Sequence, residues 1–164
     1  MKWSDVVESK ELDDLPFKIE LNEWGKIVMS PASNRHSFFQ GAIVALLNEQ
    51  KPNGAVFPEC SIETAKGVKV ADVIWGSTDF FRKYRLETPY TVAPELCVEI
   101  LSLSNLMGEL SEKKELYLAK GAREFWICDD AGEMRFYGHS GEIPESALFS
   151  AFPRKIDLDG FFGI

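Results

Sequence analysis

The sequence predicts a mixed α/β (α+β) domain, a β-sheet flanked by α-helices and preceded by an N-terminal β-hairpin. Two segments, 34–50 and 109–120, carry apolar residues at helical spacing. Short runs rich in β-branched and aromatic residues lie at 17–29, 55–63, 68–75, 95–102 and 123–138. Their order, hairpin, helix, strands, helix, hairpin, is that of helices packed on a sheet. The chain of 164 residues, 45% hydrophobic and 12% aromatic, suits one globular domain spanning 1–164.

Each element has a local cause. "FKIELNEWGKIVM", residues 17–29, reads as two short strands around a Trp24-Gly25 turn. In the "SPAS" that follows, Ser33 can cap a helix whose apolar positions are Phe39, Ile43, Leu46 and Leu47. The "KPNGA" turn, 51–55, ends that helix and leads to strands at 55–63 and 68–75. "STDFFRKYRLETPYTV" is polar, basic and aromatic, and reads as a loop or a short helix. A strand at 95–102 follows, then the second helix, closed by Gly121 at its C-terminal end. "REFWICDDAGEMRFYG" is a hairpin joined across Asp130, Ala131 and Gly132, and residues 142–164 add one or two edge strands.

Composition narrows the function classes. No apolar run approaches the roughly 18 residues that span a bilayer, and "MKWSDVVESKELDD" has no apolar signal core, so a cytoplasmic protein without membrane contact is expected. The three cysteines, Cys60, Cys97 and Cys128, lie far apart in apparent strands and read as small buried hydrophobes. A net charge of -8 counts against broad phosphate contact, and the one basic cluster is Arg82, Lys83 and Arg85. There is no G-x-S-x-G, no Gly-rich phosphate loop and no Cys/His cluster for a soft metal, and His139 sits in an exposed-looking "GHSGE" turn.

The informative residues are polar ones where core should be. In "APELCVEILSLSN" the segment 96–101 reads as a strand buried on both faces, yet Glu99 stands in its middle. Burying an unpartnered carboxylate costs several kcal/mol. In "KVADVIW" strict alternation puts Val70, Asp72 and Ile74 on one face and Ala71, Val73 and Trp75 on the other, so Asp72 is a second such acid. Two acids in neighbouring strands repel unless a cation lies between them. On the second helix Lys113 and Lys114 share a stripe with Leu110 and Tyr117. Either both lysines reach to water, or one ammonium reaches the acids across the connection "SLSNLMG". On the first helix His36 and Gln40 head a stripe that continues as Ile43 and Leu47.

Two acids and a lysine in one cleft suit metal-assisted phosphodiester hydrolysis. Carboxylates are hard oxygen ligands for Mg²⁺ or Mn²⁺. The metal polarises a phosphoryl oxygen and acidifies a bound water, while the lysine positions or activates that water and balances charge.

"KVADVIW", "PELCVEILSLSN" and "ELSEKKELYLAKGAREFWICD" resemble, in order and spacing, a bacterial family of putative restriction endonucleases in the PD-(D/E)XK nuclease superfamily. The resemblance runs from "EWGKIVMSPASNRHS" to Tyr137 and is most specific in "PELCVEILSLSN" and in the run Lys113, Tyr117, Gly121. It implies a restriction endonuclease-like core with the acids on adjacent strands, and DNA as substrate. Asp72 matches the first acid and Glu99 the second, both binding metal together with the Ile100 carbonyl. Ala71 stands where the pattern has proline, and Leu101 where it has lysine. Similar families carry that lysine on the next helix, which matches Lys113, with Lys114 as the fallback. His36 matches a histidine at the start of the family's first helix. Cutting both strands of a duplex would suit a two-fold homodimer. The competing expectation is a non-catalytic binding or assembly protein that keeps the acids and lysine as a structural ion pair.

Overall fold

β-Branched and aromatic residues on two long strands, β3 (Gly54–Thr64) and β4 (Gly67–Ser77), build the hairpin from which the main sheet grows in the computed structural model. The structure describes residues 1–50, 53–102 and 107–164. The sheet continues through β5 (Leu96–Ile100), β6 (Glu124–Cys128), β7 (Met134–Gly138) and β8 (Gly141–Ile143) in the order β3-β4-β5-β6-β7-β8. Among the described strands of this sheet β5 and β6 pair in parallel and the other neighbouring pairs are antiparallel. Parallel neighbours need a crossover, and the helix α4 (Met107–Ala119) lies in it.

Helices cover both faces, as the burial of all five β5 residues requires. On one face α2 (Asn34–Glu49) sets Phe39, Ile43 and Leu47 against Val73, Val98 and Trp126. On the other, Leu110, Tyr117 and Leu118 of α4 pack with Ala71, Ile74, Cys97 and Phe125. Leu96, Val98 and Ile100 belong to the α2 side and Cys97 to the α4 side. By alternation Glu99 therefore faces α4.

The N-terminal β1 (Phe17–Leu21) and β2 (Ile27–Pro31) form a separate antiparallel hairpin that packs on β4. Its Leu21 and Ile19 pack with Val6 of α1 (Trp3–Glu8) and with Val68. The fit is close at Gly67, whose φ is 87° and where a Cβ would stand 2.3 Å from the Leu21 carbonyl oxygen. Caps behave as expected: Ser33 Oγ accepts from the His36 amide at 3.1 Å, and Gly121 ends α4 at φ 110°.

Several expectations need correction. Of the edge strands expected in 142–164 only the last two residues of β8 are found; the rest is turns, one bridge between Glu133 and Lys155, and α5 (Leu158–Phe162). The short α1 had no sequence forecast. Of the loop or short helix expected for "STDFFRKYRLETPYTV", the segment opens as the short helix, α3 (Thr78–Tyr84). His139 is exposed, as its turn suggested, and its Nε2 donates to the Ala122 carbonyl at 2.9 Å. Strict alternation fails at Asp72: Ala71 and Ile74 share one core and Val73 lies in the other. The strand turns over there, opposite Glu59, which adopts a φ of 53° and leaves the Glu59–Asp72 pair out of an otherwise unshifted β3–β4 register. Residues 51–52 of the expected turn, and 103–106 of the connection after β5, lie outside the described residues.

Candidate active site

The β4–β5 ladder pairs Trp75 with Leu96, Ile74 with Cys97 and Val73 with Val98, then stops. The next position would set Asp72 opposite Glu99. Here the Asp72 side chain turns into the ladder, and its Oδ2 accepts the Ile100 amide at 2.7 Å. Asp72 and Glu99 are 1% and 0% exposed, so their charge must be met from inside the protein.

Lysine supplies much of it. Lys18 Nζ, from β1, lies 3.0 Å from Asp72 Oδ1 and 3.0 Å from Glu99 Oε2. Lys113 Nζ, from α4, lies 3.3 Å from Glu99 Oε1 and 2.9 Å from Glu20 Oε2. The buried Glu20 also accepts the Val70 amide at 2.7 Å, which ties β1 to β4. The Tyr117 hydroxyl donates to Glu99 Oε1 at 3.0 Å, and His36 Nε2 lies 3.3 Å from Asp72 Oδ2. Gln40 donates to the Asp72 carbonyl at 2.8 Å. The order Glu20, Lys113, Glu99, Lys18, Asp72, His36 is a chain of alternating acids and bases.

Three carboxylates face two ammonium groups, and the imbalance decides which acid holds its charge. Burial alone would raise Asp72, but Lys18, His36 and the Ile100 amide outweigh it and hold the carboxyl far below its usual range. Burial likewise opposes ionisation of Glu20, and Lys113, Lys18 and the Val70 amide reverse it, so Glu20 too is lowered. At Glu99 burial wins over Lys113 and Lys18, helped by repulsion from Asp72 and Glu20, and pushes the carboxyl up to about 7. Lys18 is pulled down by burial, yet the three acids around it leave it well above its ordinary value.

The two lysines mark the ways in. Lys18 borders a cavity of about 280 Å³ lined also by Trp3, Asp13, Phe17 and Glu59. Lys113 and Glu20 border a cleft of about 150 Å³ with Lys69, Glu109 and Glu112. Lys114 points elsewhere, to Glu115 at 3.4 Å and over the Tyr137 ring at 5.0 Å from its centre. Between the two lysine candidates the geometry puts Lys113 at the acids.

The family model described as "putative restriction endonuclease", Uma2, matches residues 9–156. The chain belongs to the Uma2 family. A solved structure with a TM-score of 0.72, titled a putative nuclease belonging to DUF820 from Anabaena variabilis, covers 99% of this chain and 98% of its own at 17% identity. It supports the restriction endonuclease-like fold. No curated protein matches the chain.

For a Uma2 chain the motif segments thus meet at one point, and two residues outside them join the network. Lys18 and Glu20 stand at i and i+2 in "FKIEL", a spacing that reads as the wet face of an amphipathic strand. Only the docking of β1 on β4 turns that face inward. The donor set suits a hard divalent ion through Asp72 and Glu99. Among the described residues no group of three or more His, Cys, Asp or Glu side chains is disposed to hold a metal. Mg²⁺ needs no such group, since it commonly binds one or two carboxylates and keeps waters or substrate phosphates in the remaining positions.

Proposed function

We propose that this chain is a divalent-metal-dependent endonuclease that hydrolyses phosphodiester bonds in DNA. The observation that carries the reading is the side-by-side placement of Asp72 and Glu99 at the end of the β4–β5 ladder, with Lys113 in contact with Glu99. Asp72 and Glu99, with the Ile100 carbonyl, would hold Mg²⁺ or Mn²⁺. When bound, the ion supplies Lewis acidity to a phosphoryl oxygen and a water of lowered pKa.

The chain's own residues do the remaining work. Lys113, fixed between Glu20 and Glu99, offers ammonium protons to the phosphate oxygens as negative charge grows on them. Tyr117 holds the Glu99 carboxylate in place, and His36 and the Ile100 amide do the same for Asp72. Cleavage breaks the bond from phosphorus to the leaving oxygen as water adds on the opposite side, and a two-fold pair of chains would present two sites to a duplex. Among the described residues no helix is long and apolar enough to cross a membrane, in keeping with a cytoplasmic nuclease.

Nicking of supercoiled plasmid in Mg²⁺ or Mn²⁺ tests this. Asp72→Asn and Glu99→Gln should each lower the rate by at least about a hundredfold. Cleavage indifferent to Glu99→Gln would sink the mechanism.

One observation favours a second reading, a non-catalytic binding or assembly protein. Lys18 already bridges both acids, as a structural ion pair would. Calorimetry with Mg²⁺ and Mn²⁺ on the wild type and on Asp72→Asn separates the two, because the second reading expects heat from neither protein.

A further inference from the structure

Lys18 Nζ stands equidistant, at 3.0 Å, from an oxygen of Asp72 and an oxygen of Glu99. That is the region an ion shared by the two carboxylates has to enter. Two cations held by the same oxygens at such range repel strongly, the more so inside a protein, where water screens little. Lys113 is placed differently, since it touches Glu99 through the other oxygen, Oε1, makes its shorter contact with Glu20, and leaves Asp72 alone. Lys18 also differs in its anchorage. It rides on the β1–β2 hairpin, a separate two-stranded sheet, and its side chain borders the 280 Å³ cavity into which the ammonium has room to swing.

We propose that Lys18 is a built-in competitor of the divalent ion, a tethered ammonium that the metal displaces from between Asp72 and Glu99. The inference rests on the metal-binding reading above and adds a residue outside its motifs. Lys18 holds the acids together and in place, and thereby sets how much free metal is needed to load the site. The displaced ammonium moves toward the cavity beside Phe17 and Asp13 and becomes accessible there.

Calorimetric titration of Mn²⁺ into the full-length wild type, Lys18→Met and Lys113→Met tests the competition. Lys18→Met should bind Mn²⁺ at least tenfold more tightly than the wild type, and Lys113→Met should change affinity much less. If the wild type binds Mn²⁺ and Lys18→Met binds no more tightly, the competition is refuted and the nuclease reading stands. If neither binds, both fall.

A measurement on the wild type alone covers the case in which Lys18→Met does not fold. Amine labelling with acetic anhydride, read by mass spectrometry, should modify Lys18 several-fold faster once Mn²⁺ is added. The half-exposed Lys66 should label at an unchanged rate. Unaltered or slower labelling of Lys18 on Mn²⁺ addition would overturn the proposal.

Discussion

The Ile100 amide donates to Asp72 Oδ2 at 2.7 Å, so a side chain completes the hydrogen bonding that the β4–β5 ladder leaves unfinished. One carboxylate thus closes a strand pair and faces Lys18. The two duties separate by substitution. Asp72→Asn keeps an oxygen for the Ile100 amide, whereas Asp72→Ala strands that amide in the core; both leave Lys18 with Glu99 as its close acid partner. Breaking a buried pair by removing one partner costs about 3–5 kcal/mol. Urea unfolding should give a loss of that size for Asp72→Ala and a clearly smaller one for Asp72→Asn. Equal losses would mean that the Ile100 bond contributes nothing.

Stability should depend on pH in a way that Glu99 controls. Folded Glu99 keeps its proton up to about 7, against an ordinary 4.5. Its contribution is whole below 4.5 and is lost as pH rises toward 7. Asp72 and Glu20, both lowered, act in the opposite sense: their contribution is present above their ordinary range and lost as pH falls below it. Lys18, raised, loses its contribution only in strong alkali. The melting temperature in chelator should therefore peak near pH 5 and decline toward pH 8. The shift at Glu99 corresponds to about 3 kcal/mol. Glu99→Gln should flatten the decline and be the more stable protein at pH 8, while losing cleavage. A decline that survives in Glu99→Gln would place its origin elsewhere.

Lys113 and Lys114 are neighbours in sequence with separate surroundings. Lys113 Nζ bridges Glu20 and Glu99, while Lys114 Nζ pairs with Glu115 and lies over Tyr137. Lys113→Met should reduce plasmid nicking by about a hundredfold, and Lys114→Met should leave it within a factor of two or three of wild type. Plasmid assays at fixed Mn²⁺ decide it, and the reverse ranking would reassign the lysine.

The sheet and its helices were legible in the sequence because local signals agreed with the global fold. Ser33 marked the start of α2, Gly121 the end of α4, and the two buried-looking strands lie where their apolar runs put them. Asp72, Glu99 and Lys113 were legible because a charge within a core pattern is conspicuous. Lys18 and Glu20 were not, since their alternation with Ile19 and Leu21 looks like a solvated edge, and the contact that buries them joins residues about fifty positions apart. The turn of β4 at Asp72 escaped for a similar reason, because it depends on the backbone of Glu59 across the hairpin.

Glu20 offers the sharpest test of the network, because no motif includes it. Its Oε2 accepts the Val70 amide at 2.7 Å and holds Lys113 at 2.9 Å, so one oxygen docks the hairpin and aims the lysine. In Glu20→Gln the amide oxygen can still take the Val70 N–H, but the charge that balances Lys113 is gone. Lys113 then has Glu99 alone as its acid partner, and the three-to-two excess of carboxylates disappears. Unfolding should show a loss of about 1–3 kcal/mol. The raised pKa of Glu99 should fall, because one of the repelling acids is removed and Lys113 is free to pair with it more closely. The decline in stability should consequently be shallower and finish at lower pH than in the wild type, a change that simple loss of hairpin docking would not produce. An unchanged pH profile with the same loss of stability would reduce Glu20 to a structural tie between β1 and β4.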